Sequence, residues 1–312
     1  MLHVRVVTPT QVTRRLVDEF GADSGVRNLV VLPGAVSPAG DAVQFDVTDG
    51  SANAVLQRLQ DLGVGGDRQI DIDSVEAVIG GTRLPSYHGE HPPVWPVVEA
   101  RIRENAEYAP SFYALLAFAG LIGACGILLN SQILIVGAMV VGPEYNAIIA
   151  VALGLDRRDG QAIRSGLLVL VAGFLFAIAV TLVFALYIRW AGRAPAPFRH
   201  GQRPVSDLIN SPNLYSVVVA VVAGIVGVIS LTLSKAGALI GVFISITTIP
   251  AAADIGVSLA FSSWREARGS AFQLLLNVGL LIIVGAIALR GQRFIWRNWT
   301  PGRGRRGTRS PA

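Results

Sequence analysis

SQILIVGAMVVGPEYNAIIAVALGL, residues 131–155, and KAGALIGVFISITTIPAAADIGVSLAF, residues 235–261, decide the fold of this chain. Each is long enough to cross a bilayer, which takes about 20 apolar residues. Each is also broken, the first at Gly142-Pro143 and the second at Pro250. A proline inside a helix removes a backbone donor, and its ring clashes with the preceding turn. In lipid the freed carbonyls need partners, so such breaks belong inside protein or against a cavity.

The two prolines stand 107 residues apart. The same shift lays Arg158-Asp159 on Arg265-Glu266, and Leu167-Leu168-Val169 on Leu274-Leu275-Leu276. Four further apolar runs, 112–129, 166–189, 213–233 and 270–289, bring the total to six. Residues 112–189 and 213–289 therefore read as two copies of one unit: span, broken span, short charged segment, span. Three crossings per unit is an odd number, so the copies face opposite ways. Inverted repeats with matching broken helices are a transporter signature, and the breaks point to the binding site. If each broken segment instead re-enters on its own side, four spans remain and the copies run parallel. The expected fold class is an α-helical polytopic membrane domain of six hydrophobic segments, in two inverted three-segment repeats with broken helices. A small α+β domain precedes it.

Of the 312 residues, 52% are apolar and 15% charged, against about 25% charged in soluble domains. The single cysteine, Cys125, lies in an apolar run, which excludes an intrachain disulfide and a cysteine metal cluster. MLHVRVVTPTQ at the start lacks the basic-then-apolar pattern of a secretory signal, so the N-terminal domain is expected in the cytoplasm. Seven arginines from Arg290 to Arg309 have no acid among them. Beside a span they read as an anchor at anionic lipid rather than a nucleic-acid arm. With both termini inside, thirteen basic residues lie on the inner side and six on the outer, which favours an inner-membrane protein with both ends cytoplasmic.

Residues 1–82 read as β-α-β-β-α-β, a ferredoxin-like unit. Strands are expected at 2–8, 26–33, 41–48 and 67–78 from their alternating valines. Helices are expected at 9–21, with a stripe of Val12, Leu16, Val17 and Phe20, and at 51–63, with Ala54, Val55, Leu59 and Leu62. Thr8 and Pro9 read as cap and first turn of the first helix. Residues 83–110 are a proline-rich linker and an interfacial helix anchored by Trp95; residues 111–290 are the transmembrane domain, and residues 291–312 a basic disordered tail. His88, Glu90 and His91 in the linker match no zinc spacing.

The broken segments hold the unusual polar groups of the membrane part: Glu144 and Asn146 after Gly142-Pro143, Thr247 and Thr248 before Pro250, and Asp254 after it. An ionisable group in a span costs about 3 kcal/mol on insertion scales and faces protein or water. Glu144 and Asp254 are thus candidates for cation or proton coupling, or for capping the half-helix that follows each break. Lys235 reads as a snorkelling interfacial lysine, and Asn277 as a hydrogen-bonding group between helices. No catalytic, metal or cofactor signature stands out, and the glycines of LIGACGILL follow no strand.

GAMVVGPEYNAIIAVALGL, residues 137–155, resembles the bacterial and archaeal family called domain of unknown function 389 (DUF389). Its members share an IGAM-(I/L)-(I/V)-(S/G)-P motif, followed by small residues and a charged loop. ISITTIPAAADIGVSLA and the REARGS that follows are similar to the family's second proline segment. In this chain Glu144-Tyr145-Asn146 follows Pro143, where many members carry a small apolar or Met-Gly-Pro run. One proline, Pro250, stands where a Pro-Pro pair is common. The resemblance implies the architecture over most of residues 95–290 and no substrate. The expected function is a transporter or channel-like permease for an ion or small solute, with the lipid bilayer as partner and homo-oligomerisation open. The alternative is a membrane-anchored sensor or scaffold whose N-terminal domain binds a small ligand or partner.

Overall fold

A computed structural model describes residues 1–48, 50–64, 69–75, 93–104, 110–233 and 236–298. His88, Glu90, His91, Lys235 and the arginines beyond 298 lie outside the described residues. The chain divides into two compact units, Met1–Val98 and Glu99–Ala312.

The first unit runs β1 (Leu2–Thr8), α1 (Thr10–Phe20), β2 (Val26–Val36), β3 (Ala39–Val47), α2 (Ala52–Asp61) and β4 (Ile70–Ser74). The sheet order is β2-β3-β1-β4, and every neighbouring pair is antiparallel. Alternation puts Val4 and Val6 of β1, and Val43, Phe45 and Val47 of β3, into one core. The helices add Leu16, Phe20, Val55 and Leu59, and Phe20 meets Phe45 at 5.6 Å between ring centroids. β2 holds Pro33, tolerated because the strand is an edge, and pairing shifts register between Pro33 and Ala35.

Three local expectations are corrected. Pro9 itself occupies the cap position of α1 and makes no side-chain cap; Thr8 instead bonds Thr13 hydroxyl to hydroxyl at 2.8 Å. In α1 the inward stripe includes Thr13, while Val17 is exposed. α2 turns Ala52, Val55, Leu56 and Leu59 inward, the i, i+3, i+4, i+7 face, and leaves Ala54 exposed.

α3 (Trp95–Glu104) straddles the boundary between the units. The second unit continues with α4 (Pro110–Leu128), α5 (Gln132–Val141), α6 (Glu144–Arg157) and α7 (Gly160–Trp190). Two short helices follow, α8 (Ala196–Arg199) and α9 (Pro204–Ile209), then α10 (Leu214–Thr232), α11 (Ala236–Ser245), α12 (Thr248–Ala260) and α13 (Trp264–Asn298). Among the described residues five stretches are long and apolar enough to cross a membrane, namely α4, α7, α10, α13 and the run Gly237–Ala260 through α11 and α12, or six with the pair α5–α6, which bends by 52°. The outward faces of α7 and α13 carry Leu168, Val183, Leu275 and Ile287, all more than half exposed, as lipid-facing surfaces require.

α7 and α13 exceed the apolar runs expected for them. Thirty-one residues of helix span roughly 46 Å, against about 30 Å of hydrocarbon, so charged ends continue the helix past the apolar core. The REARGS stretch is the start of α13, not a separate loop, and α13 runs through Asn298. The tail expectation is therefore corrected twice. Residues 291–298 are helical, and Arg290 and Arg293 do have acidic partners: Asp156 lies 3.1 Å from Arg290 and 2.7 Å from Arg293, and Glu99 lies 3.1 Å from Arg293.

Hydrogen bonds sort the helix ends. At a first end, Asn130 between α4 and α5 donates to the Gln202 carbonyl at 3.0 Å. There too Arg203 donates to Ser263 and Glu266, and Arg189 at the end of α7 to the Ala260 carbonyl. At a second end the Asp156–Arg290–Arg293–Glu99 cluster joins the ends of α6 and α13 to α3. The chain thus enters α5 at the first end and leaves α6 at the second, and leaves α12 back at the first.

Candidate functional site

The backbone at each break follows from its proline. Gly142, before Pro143, is extended at φ −68 and ψ 130, as steric clash with the proline ring demands. Pro143 then precedes the first residue of α6. In the second segment the gap falls at Ile246-Thr247, three residues before Pro250, where the expectation put it at the proline. Pro250 lies in the first turn of α12, where no intrahelical donor is needed, and its ring excludes the carbonyl four residues back from a helix.

The two breaks touch. The Thr248 hydroxyl donates to Glu144 Oε1 at 2.7 Å. Glu144 is buried, and its Oε2 has no hydrogen-bond partner among the described residues. The carboxylate lies back over Gly142: a Cβ there would meet both Glu144 and Ile249 of the other break. Tyr145, also buried, crosses to α10, where its hydroxyl lies against Gly227, and its ring sits 5.5 Å from that of Phe243 in α11. Asn146 is half-buried on the first turn of α6, its backbone N–H on the Pro143 carbonyl.

Asp254 sits elsewhere. Six residues beyond Thr248 on α12, it is displaced by about 9 Å along the axis. Both its oxygens are taken: Ser206 of α9 donates at 2.7 Å and Ser270 of α13 at 2.6 Å. It shares no hydrogen-bond partner with Glu144 among those bonds. The arrangement makes Asp254 a clamp that holds α9 and α13 on α12, whereas Glu144 has one oxygen without a hydrogen-bond partner among the described residues.

A second polar group lies beside the second break. Thr247 Oγ1 receives Asn277 Nδ2 at 2.7 Å and Gln273 Nε2 at 3.2 Å, and Gln273 also donates to Asn277 Oδ1 at 3.3 Å. Bonds between membrane helices contribute only about 0.6 kcal/mol on average, a small return for burying two amides. Thr247 and Asn277 line a cavity of about 240 Å³, with Ser245, Asn213 and Ser216 also on its wall.

The structure thus joins Gly142, Pro143, Glu144 and Thr248 in one place, sets Thr247 beside a cavity, and leaves Asp254 apart. Asn277 was legible as an interhelical hydrogen bonder. Gln273, Ser206 and Ser270 were missed. Gln273 had a signal, since it stands four residues before Asn277 and hence on the same helical face; the serines had none. Among the described residues no three His, Cys, Asp or Glu side chains cluster as metal ligands would.

Apolar exposed helices packed round buried polar contacts are those of a membrane-embedded helical protein. Residues 139–283 match the family model described as Domain of unknown function (DUF389), the family that the GAMVVGPEYN motif resembles. The match includes both breaks and is narrower than the 95–290 that the motif resemblance implied. No curated protein and no solved structure matches the chain.

Proposed function

We propose that this protein is a permease for an ion or small solute, with its path at the joined breaks and Glu144 as its coupling group. The observation that carries this reading is the Thr248–Glu144 bond between the two interrupted helices, with the second carboxylate oxygen buried and unpartnered. Broken helices at a membrane midplane supply the unsatisfied ends that transporters use to hold a substrate.

The helix pairings support two inverted repeats. α4 packs on α5 and α7 as α10 packs on α11 and α13, and α6 packs on α7 as α12 does on α13. Across the halves, α6 packs on α13 as α12 does on α7. The end-to-end course of each broken pair, and a bend of 52° where a hairpin needs reversal, favour broken spans over re-entrant loops. The N-terminal unit, by its element order and sheet order, is read as a ferredoxin-like module for regulation or assembly. The arginine asymmetry supports both termini on the cytoplasmic side of an inner membrane.

Purified protein in liposomes tests the reading. It should move an ion or small solute faster than empty vesicles, and Glu144→Gln should impair that movement. A broad panel of probes that never exceeds the empty-vesicle rate sinks it.

A further inference from the structure

The cavity beside the second break runs from Asn213 and Ser216, at the start of α10, to Thr247 and Asn277. Its volume of about 240 Å³ exceeds by far the roughly 10–15 Å³ that one water needs. No side chain on its wall, among the described residues, is charged; Glu144 is not on it. An ion in such a place would lack a counter-charge, and Thr247 Oγ1 already takes two N–H bonds, which turns its lone pairs away from a cation. Behind this wall Gln273, also buried, leaves its amide oxygen unpartnered.

The fold itself does not require these groups. The helices of the two halves start 104 residues apart, α4 with α10, α5 with α11, α6 with α12 and α7 with α13, not the 107 that the prolines suggested; at that shift Thr247, Gln273 and Asn277 correspond to Pro143, Val169 and Gly173. The other half of the bundle is therefore built with apolar or absent side chains at the same three places. A polar ring present in one half only, beside an interrupted helix and a cavity, is explained by a ligand.

We infer that this cavity binds a small uncharged solute that both donates and accepts hydrogen bonds, oriented by Asn277 and Thr247. The inference deepens the permease reading and rests on it for the direction of the path, but binding itself does not depend on transport. Val219, an apolar wall residue of α10, supplies the reporter. The full-length protein with Cys125→Ser and Val219→Cys, in liposomes, is labelled with a maleimide in the presence of acetamide, urea or glycerol. Sodium and potassium chloride at matched osmolarity are the ionic arms. At least one neutral probe should slow labelling, the salts should not, and Asn277→Leu should abolish the protection while the label still enters. Protection by salt alone, protection that survives Asn277→Leu, or none from any neutral probe overturns the inference. Flux of the same probes in the same vesicles separates the two readings. Protection without flux removes the permease and keeps the site; flux without protection does the reverse.

Discussion

Glu144 reaches back over Gly142, so the glycine is required by the carboxylate and not by its backbone angles, which any residue adopts. Gly142→Ala should push the carboxylate off Thr248 or push Ile249 away; a melting temperature below wild type together with altered flux is the expected outcome. Thr248→Val separates the role of the hydroxyl from that of shape. It leaves a buried carboxyl without its donor, which costs about 1–3 kcal/mol, whereas Thr248→Ser keeps the bond and should unfold like wild type. Equal stability of the valine and serine variants in denaturant titrations would show the bond to be inert. In the N-terminal unit, the Gly25 N–H at 2.8 Å and the Arg58 guanidinium hold the Asp23 carboxyl below its usual range. A carboxyl depressed in the folded state adds stability that is present above its unfolded value of about 4 and is lost as pH falls through the folded one. Wild type and Asp23→Asn should differ by a constant amount in hydrogen-exchange stability of β1 and β3 above that pH, and converge below it. At this scale the sequence revealed Glu144 and Asp254 as unusual, because a charge in an apolar run is conspicuous. It did not reveal their difference: Thr248 is 104 positions from Glu144, and Ser206 is 48 from Asp254, separations that no local pattern encodes.

α12 is enclosed by α4, α7 and α13, and its small residues let them close in. A Cβ on Gly256 would come within 2.9 Å of the Ile178 carbonyl oxygen and of the Leu182 nitrogen, backbone atoms of α7 that cannot step aside. Gly256→Ala should therefore part the two helices and destabilise by about 1–3 kcal/mol, the usual cost of overpacking. Gly279→Ala on α13 meets nothing within 4 Å and gains helix propensity, so it should melt at or above wild type. Comparable losses in both variants, read by thermal melts in detergent, would contradict this packing. The same small residues explain how legible the elements were. All six apolar segments could be read from hydropathy, and Gly142-Pro143 located the first break, because both signals are local. The second break lay three residues before its proline, since the ring acts on the preceding turn. The lengths of α7 and α13 were underread because hydropathy ends where the lipid does, while helical hydrogen bonding takes in Gly160-to-Arg164 and REARGS without regard to charge.

Across the whole bundle, direction is set by which turns share an end. Asn130 with Gln202, and Arg203 with Ser263 and Glu266, tie three connections together at the first end. Asp156 with Arg290 and Arg293 ties the ends of α6 and α13 at the second. If α5–α6 is a broken span, Ser131 and Asp159 lie on opposite faces of the membrane, and Ser131 lies on the same face as Gln202. If it is a re-entrant hairpin, Ser131 and Asp159 share a face. Single cysteines at 131, 159 and 202, placed in a Cys125→Ser background, distinguish the two in intact cells with an impermeant maleimide. The bundle predicts that 131 and 202 are labelled together and that 159 is blocked until the membrane is opened, or the reverse if the whole molecule sits the other way up. Labelling of 131 and 159 from one side would leave α5–α6 re-entrant, make the two halves parallel, and remove the inverted-repeat argument for transport along with it.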